Sequence, residues 1–276
     1  MKIYACAILM VFLMISCKGE TMPESVTAFK DIKDIPPSAF KGLATKRILF
    51  GHQSVGDNII AGMTDLIKDH PSIKLTIKQT TRPDDLAPGT FAHFPVGENE
   101  KAESKIKDFA AKIRQGLGSN VDIALFKFCF VDIDANTDVG RLFQEYRDTM
   151  VSLKKDYPTV TFVHVTVPLL RKEKTTIKRL IGRIMGRSGG FFDESHNIKR
   201  NEYNDLIRKF YSGKEPIFDI AAVESTHPDG TRETFNAGGK RYHALTPEYT
   251  GDGGHLNDVG RKIVAGQFLA FLSQLK

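Results

Sequence analysis

Apolar residues in this chain fall into short, nearly continuous runs that alternate with longer stretches where they recur every three or four positions. Runs rich in Val, Ile and Phe are typical of strands buried on both faces, and the second pattern is typical of amphipathic helices. Strands are predicted at Arg47–Phe50, Ile73–Lys78, Val121–Val131, Thr159–Val167 and Ile217–Val223. Helices are predicted at Ile59–His70, Lys105–Gly116, Gly140–Tyr157, Tyr203–Tyr211 and Val259–Leu275.

This alternation predicts an α/β fold with a parallel sheet covered by helices on both faces. In such sheets, functional residues gather beyond the carboxyl ends of the strands. The loops in question hold Ser54, Pro83–Asn99, Asp132–Asp138, Pro168–Phe192 and Glu224–His255.

Composition places the chain among ordinary globular proteins. Its 276 residues are 41% hydrophobic and 26% charged, enough to bury a sizeable core. The formal net charge of +6 favours anionic partners without identifying one. No recognition motif accompanies the basic residues, so a nucleic-acid partner is not predicted.

The first twenty residues, MKIYACAILMVFLMISCKGE, carry an export signal. The apolar run is shorter than the roughly 20 residues of a membrane-spanning helix and fits a signal peptide. Ser16 followed by Cys17 resembles a bacterial lipobox. We expect a signal peptide at 1–16, lipidated Cys17 and a tether at 17–44, and the folded domain at 45–276. The protein would then be lipid-anchored outside the cytoplasm, in the bacterial cell envelope. A plain cleaved signal and an uncleaved anchor remain alternatives.

The segment RKEKTTIKRLIGRIMGRSGG, residues 171–190, is unusually basic. Apolar residues fall on one helical face of it, which would suit a lid or a helix lying on an anionic membrane. A surface helix packed on its own domain is the alternative.

Asp252 and His255 lie three residues apart on a glycine-containing turn, directly before the last predicted helix. A carboxylate can orient one nitrogen of such a histidine while the other nitrogen takes a proton from a hydroxyl. Ser54 is the leading source of that hydroxyl, because it follows the first strand and opens a helix, where an oxyanion is favoured. It could instead be only a helix cap.

These residues resemble those of the SGNH (GDSL-like) hydrolase superfamily over roughly residues 46–275. The stretch HLNDVGRKIVA, with His255, Asn257 and Gly260, is similar to the closing helix of that family. The resemblance implies a three-layer α/β/α, flavodoxin-like fold with a five-stranded parallel sheet. It also implies a serine esterase in which Ser54 is the nucleophile, His255 the base and Asp252 its orienting carboxylate.

The chain departs from the family in the groups that would stabilise the oxyanion. Two residues, His52 and Gln53, separate Gly51 from Ser54, and no Asn follows the strand at Val121–Val131 in the expected place. Gly97 and Asn99 are the expected donors, with Gly89 competing and Asn136 a distant substitute. Asp132 is expected at the position of the family's Asp, and His52 is expected to line the pocket or bind substrate.

The expected function is hydrolysis of carboxylic esters, in this setting O-acetyl groups on a glycan, by an exported enzyme that needs no cofactor or metal. Two alternatives use the same fold: a non-catalytic carbohydrate-binding protein on the cell surface, and an acyltransferase with the same triad. The expected partners are a small-molecule or glycan ester and, through Cys17, a membrane.

Overall fold

A computed structural model describes residues 32–172 and 193–275. Its centre is a sheet of six parallel strands in the order β2-β3-β1-β4-β5-β6. The strands are β1 (Arg47–His52), β2 (Thr76–Gln79), β3 (Thr90–Pro95), β4 (Ile123–Phe126), β5 (Thr161–Val165) and β6 (Ile217–Phe218). The predicted α/β class with a parallel sheet is confirmed.

Helices cover both faces of the sheet. They are α1 (Val55–Asp69), α2 (Ala102–Arg114), α3 (Val139–Asp156), α4 (Glu194–Tyr211), α5 (Ile220–Glu224) and α6 (Asp258–Ser273). Side chains of β1 alternate between two cores, as the strand period requires. Phe50 packs in one core with α1 and α6, whereas Leu49 packs in the other with α2, α3 and α4. This is the predicted three-layer α/β/α arrangement.

The sheet has one strand more than the five predicted. The missed strand is β3, which lies between β1 and β2 and pairs with β1 from Arg47↔Thr90 to His52↔Pro95. Its polar His93 and terminal Pro95 made this segment look like part of a loop. The predicted second strand, Ile73–Lys78, corresponds to β2, which lies at the edge of the sheet and is separated from β1 by β3.

The last predicted strand, Ile217–Val223, is mostly helical. β6 contains only Ile217 and Phe218, and α5 begins at Ile220. Asp219 ends the strand because its carboxylate accepts a hydrogen bond from the N–H of Ala222, 3.0 Å away, and so caps α5.

The predicted tether is in part folded. Two 3₁₀ segments, Ile32–Asp34 and Pro37–Thr45, precede β1. Phe40 and Leu43 are buried in the core beside α1 and α6, so the domain begins no later than Ile32 rather than at residue 45. Apolar side chains spaced along a 3₁₀ turn carried too little periodicity to be recognised.

A separate antiparallel hairpin is formed by β7 (Thr234–Ala237) and β8 (Lys240–His243). The signal peptide, Cys17 and residues 173–190 of the basic segment lie outside the described residues. Within the described ranges, no helix combines the length and apolar character needed to cross a membrane.

Candidate active site

Ser54 lies on the tight turn between β1 and α1. Its φ of 50° is positive, a conformation that costs a residue with a side chain about 1–3 kcal/mol and that often marks a functional site. The hydroxyl makes no capping hydrogen bond to α1. Ser54 therefore occupies the N-cap position of α1 without using its side chain to cap the helix.

The Ser54 hydroxyl instead faces the loop before α6. Its Oγ lies 2.8 Å from Nε2 of His255, and Nδ1 of His255 lies 2.7 Å from Oδ2 of Asp252. Ser54 lies 201 residues before His255 in sequence, and the structure brings Ser54, His255 and Asp252 into one hydrogen-bonded chain. His255 remains exposed, so its ring can reach a substrate.

Asp252 is held in its ionised form. Its second oxygen, Oδ1, accepts hydrogen bonds from the N–H groups of Gly254 and His255, at 2.9 and 2.8 Å. Partial burial acts to raise the pKa of Asp252, but these N–H donors and the His255 ring outweigh it and lower the pKa to about 2. The carboxylate therefore stays charged beside the ring and holds the proton on Nδ1.

The Asp252–His255 loop is tied to the helices that follow Ser54 and His255. Asn58 of α1 accepts a hydrogen bond from the N–H of Leu256 at 3.0 Å, and Asn257 caps α6 by accepting from Gly260. α1 and α6 also pack closely, because a Cβ on Gly62 would overlap the backbone carbonyl of Arg261. The separation of nucleophile and base is thus set by two packed helices.

A cleft of about 320 Å³ opens above the triad. Its walls are mostly apolar, and the ring of Phe130 meets the ring of His255 edge-on at 5.3 Å. The residues that line it are Ser54, Asn99, Phe130, Val131, Leu170, Asp252, Gly254 and His255.

Of the two predicted oxyanion donors, the structure places only Asn99 in the cleft. The N–H of Gly97 donates to Asp108 at 2.9 Å, so the prediction for Gly97 is wrong. Neighbouring amides are also occupied: Glu98 donates to Ser104 and Glu100 donates to Asp132. These bonds hold the loop in place, and Asn99 of this loop lines the same cleft as Ser54.

His52 is not a pocket residue, contrary to prediction. Its side chain is 2% exposed, stacks on Phe50, and lies 2.9 Å from Nδ1 of His93 through Nε2. Burial, with the nearby positive charge of Lys127 and the His93 ring, lowers the pKa of His52 to about 3. A neutral, buried ring cannot act as the base for Ser54.

Asp132 is likewise buried and does not line the cleft that holds the triad. Its Oδ2 lies 2.6 Å from Nζ of Lys105, and both side chains are fully buried. Sequence reasoning missed Lys105. The signal was a lone Lys on the face of α2 that is otherwise formed by apolar residues such as Ala102, Ile106 and Phe109.

A second, polar cavity of about 610 Å³ adjoins the cleft, and Val131 lines both. Asn136, considered as a substitute oxyanion donor, lines this cavity and not the cleft. The other lining residues are Glu100, Ala102, Glu103, Asp132, Asp134, Thr137, Asp138, Arg141, Leu142, His196 and Arg200. Across residues 32–172 and 193–275, no group of three or more His, Cys, Asp or Glu side chains is arranged to hold a metal ion.

Comparisons with known proteins gave matches among solved structures. No family model matches the sequence, and no curated protein is significantly similar to it. An acetyl xylan esterase is 15% identical with a TM-score of 0.47, over 81% of this chain and 98% of the other. A carbohydrate esterase family 3 protein from Talaromyces cellulolyticus is 12% identical with a TM-score of 0.44, over 83% and 95%.

The periplasmic domain of a lipopolysaccharide acetyltransferase from Salmonella ser. Paratyphi A is 10% identical with a TM-score of 0.41, over 84% of this chain and 89% of the other. Each of these is a protein to which the chain is similar over most of its described length.

Proposed function

We propose that this protein is a serine esterase of the SGNH (GDSL-like) type. The single observation that carries the proposal is the chain of two short contacts, Ser54 Oγ to His255 Nε2 at 2.8 Å and His255 Nδ1 to Asp252 Oδ2 at 2.7 Å. Nucleophile, base and orienting carboxylate in hydrogen-bond reach are what acyl transfer by a serine requires.

In the first half of the reaction, Ser54 Oγ attacks the ester carbonyl carbon while its proton passes to Nε2 of His255. Asp252 stabilises the imidazolium that forms. His255 then protonates the leaving alcohol, and Ser54 keeps the acyl group. In the second half, a water molecule gives a proton to His255 as its oxygen attacks the acyl carbon. The bond from that carbon to Ser54 Oγ then breaks, His255 returns the proton to Ser54 Oγ, and the acid is released.

The oxyanion that forms in each half needs donors placed in advance. We assign this role to the N–H of Ser54, at the start of α1, and to the side-chain NH₂ of Asn99. The N–H groups at a helix start favour negative charge. Asn99 contributes the donor that the family takes from a residue after the next strand.

The shape of the cleft supports short acyl groups, such as acetyl. About 320 Å³ with walls formed by Phe130, Val131 and Leu170 suits a small apolar group. The adjoining polar cavity offers carboxylates and amides to a hydroxyl-rich alcohol, so an O-acetylated glycan is the substrate class we propose.

We also propose that the enzyme is exported and lipid-anchored through Cys17. The lipobox-like Ser16–Cys17 pair supports this location. Cells fed an alkyne-tagged fatty acid should label the wild-type protein and should not label Cys17→Ser. Equal labelling of the two proteins would contradict lipidation at this residue.

The proposed activity is tested with p-nitrophenyl acetate and with a fluorophosphonate probe, on wild type and Ser54→Ala. Wild type should turn over the ester and bind the probe, and Ser54→Ala should do neither. Ser273→Ala is the control. It removes a hydroxyl from the last residue of α6, which does not line the cleft, and should behave as wild type. Equal turnover by wild type and Ser54→Ala would overturn the assignment of the nucleophile.

A further inference from the structure

A buried lysine lies behind the cleft. Lys105 on α2 is fully buried, and its Nζ contacts Oδ2 of Asp132 at 2.6 Å and Oδ1 of Asn99 at 2.9 Å. Burying an ammonium group is costly unless it is paired and hydrogen-bonded. Lys105 is paired and hydrogen-bonded in this way directly beneath Asn99, a residue that lines the cleft.

The contact with Lys105 determines which way the Asn99 amide faces. An ammonium group only donates hydrogen bonds, so the Asn99 atom next to Nζ must be its carbonyl oxygen. The NH₂ group then turns away from Lys105. Because Asn99 lines the same cleft as Ser54 and His255, the NH₂ is the end that meets a bound substrate.

Asp132 holds the backbone on both sides of the cleft. Its Oδ1 accepts from the N–H of Glu100 at 2.9 Å, and its Oδ2 accepts from the N–H of Cys129 at 2.6 Å. Glu100 has a φ of 66°, a conformation rarely adopted by a residue with a side chain. The bond to Asp132 keeps the residue next to Asn99 in this conformation.

The helix carrying Lys105 also touches the loop directly. A Cβ on Gly97, whose φ is 52°, would overlap the backbone of Lys105. The loop therefore cannot move away from α2 without losing this packing together with the Lys105 and Asp132 bonds. Three contacts therefore fix Asn99 in advance: its own bond to Lys105, the bond of Glu100 to Asp132, and the packing of Gly97 on α2.

A charged donor on the Asn99 oxygen also changes the amide itself. Hydrogen bonds in a chain polarise one another, so the ammonium group makes the Asn99 NH₂ a stronger donor. A strong donor placed in advance stabilises charge that develops in the transition state more than it stabilises the bound ester.

We propose that Lys105 is a positioning residue that, paired with Asp132, orients and polarises the Asn99 amide as an oxyanion donor. The inference rests on the proposed esterase function. It predicts that Lys105 affects kcat through Asn99 and leaves KM nearly unchanged.

The test is a double-mutant cycle on the purified protein with p-nitrophenyl acetate. Asn99→Ala should lower kcat by roughly 10²- to 10³-fold. Lys105→Met combined with Asp132→Asn, which avoids leaving one charge unpaired, should lower kcat at least about tenfold with little change in KM. Because both act through one donor, adding the pair to Asn99→Ala should lower kcat no further. Unchanged kcat in the Lys105 variant, or losses that multiply in the combined protein, would overturn the inference.

A second variant covers the case in which the Lys105 variants do not fold. Asn99→Asp keeps an oxygen beside Lys105 and adds an opposite charge, so the fold should be retained, but it removes the NH₂. We expect kcat to fall as far as in Asn99→Ala while the melting temperature does not drop. A wild-type kcat in Asn99→Asp would overturn the inference about Lys105 and Asn99 but not the proposed esterase function. If the wild-type protein neither turns over the ester nor binds the probe, both are overturned.

Discussion

At the scale of the residue, the Asp252 carboxylate has two tasks, one for each of its oxygens. It accepts from two backbone N–H groups through Oδ1 and from the His255 ring through Oδ2. One oxygen therefore holds the loop, and the other selects the tautomer of His255 in which Nε2 is free to accept a proton from Ser54.

Replacing Asp252 by Asn separates these tasks. The amide can still accept from the backbone, but it no longer stabilises an imidazolium, so kcat should fall roughly 10³- to 10⁴-fold. KM should change little, and steady-state kinetics on p-nitrophenyl acetate measures both. Asp258→Asn is the matched control, because Asp258 lies three residues beyond His255, pairs with Arg261 and does not line the cleft. Near wild-type kcat in Asp252→Asn would remove Asp252 from the triad.

At the scale of the element, the turn from β1 into α1 is as important as the serine it carries. Gly56 lies in the first turn of α1, and a Cβ there would overlap the buried ring of His52. The two residues that separate Gly51 from Ser54 are thus packed into the structure: His52 against Gly56 and Gln53 through its NH₂ to the carbonyls of Val96 and Gly97.

Gly56→Ala should disturb both stability and the position of Ser54. Inserting a methyl group into a well-packed site costs about 1–3 kcal/mol, and the turn would have to shift to make room. We expect a lower midpoint of chemical unfolding and a kcat reduced at least severalfold. Gly42→Ala is the control, since a Cβ at Gly42 meets no atom within 4 Å. Equal midpoints for the two variants would contradict the close packing described for this turn.

The short helix α5 ends in a buried carboxylic acid that links it to the segment after β5. Glu224 is fully buried, and its Oε2 accepts from the N–H of Leu169 at 2.9 Å. Burial raises the pKa of Glu224 to about 8, although the Leu169 hydrogen bond and the charge of Lys127 act against this.

This raised pKa predicts a dependence of stability on pH. The folded protein keeps the Glu224 proton up to about pH 8, whereas the unfolded chain loses it near its usual value of about 4.3. Between these values the folded state binds more protons, so the free energy of unfolding falls as pH rises. Glu224→Gln removes this contribution, so it should gain stability relative to wild type from about pH 5 to pH 8.

Chemical unfolding of both proteins across that range provides the measurement. Glu145→Gln, a half-buried position on α3, is the control and should track the wild type. A stability difference between Glu224→Gln and wild type that stays constant with pH would contradict the prediction.

At the scale of the whole molecule, two cavities of different character meet at Val131. The smaller is lined mainly by apolar residues and holds the triad, and the larger is lined mainly by charged and amide side chains. This division fits a substrate with a small acyl group on one side of the ester oxygen and a polar alcohol on the other.

Filling the polar cavity should therefore separate large substrates from small ones. Asn136→Trp places a bulky ring at its rim, where Asn136 is exposed. We expect KM for an acetylated oligosaccharide to rise at least about tenfold and KM for p-nitrophenyl acetate to stay the same. Asn236→Trp, on the exposed face of β7, is the control. If KM rises equally for both substrates, or changes for neither, the assignment of the polar cavity to the alcohol is contradicted.

The sequence predicted the secondary structure well where elements are long and their apolar residues recur with helical spacing. α1, α3 and α6 were found with small errors at their ends. β3 was missed because its identity as a strand comes from pairing with β1 on one side and β2 on the other, which no local pattern records. Residues 220–223, which form most of α5, were predicted as part of a strand because a short apolar run fits either structure.

The sequence alone determined the alternation of strands and helices and the places of Ser54 and Asp252–His255 within it. Parallel strands end at one edge of a sheet, so residues that follow different strands meet there without any knowledge of the contacts. Only the tertiary structure decided which neighbours could act beside them. Asp108 takes the N–H of Gly97, and His93 pairs with His52 away from the cleft. Lys105 binds both Asn99 and Asp132, and of these two only Asn99 lines the cleft. Packing between elements brings these partners together, and the apolar pattern within a single element does not predict such contacts.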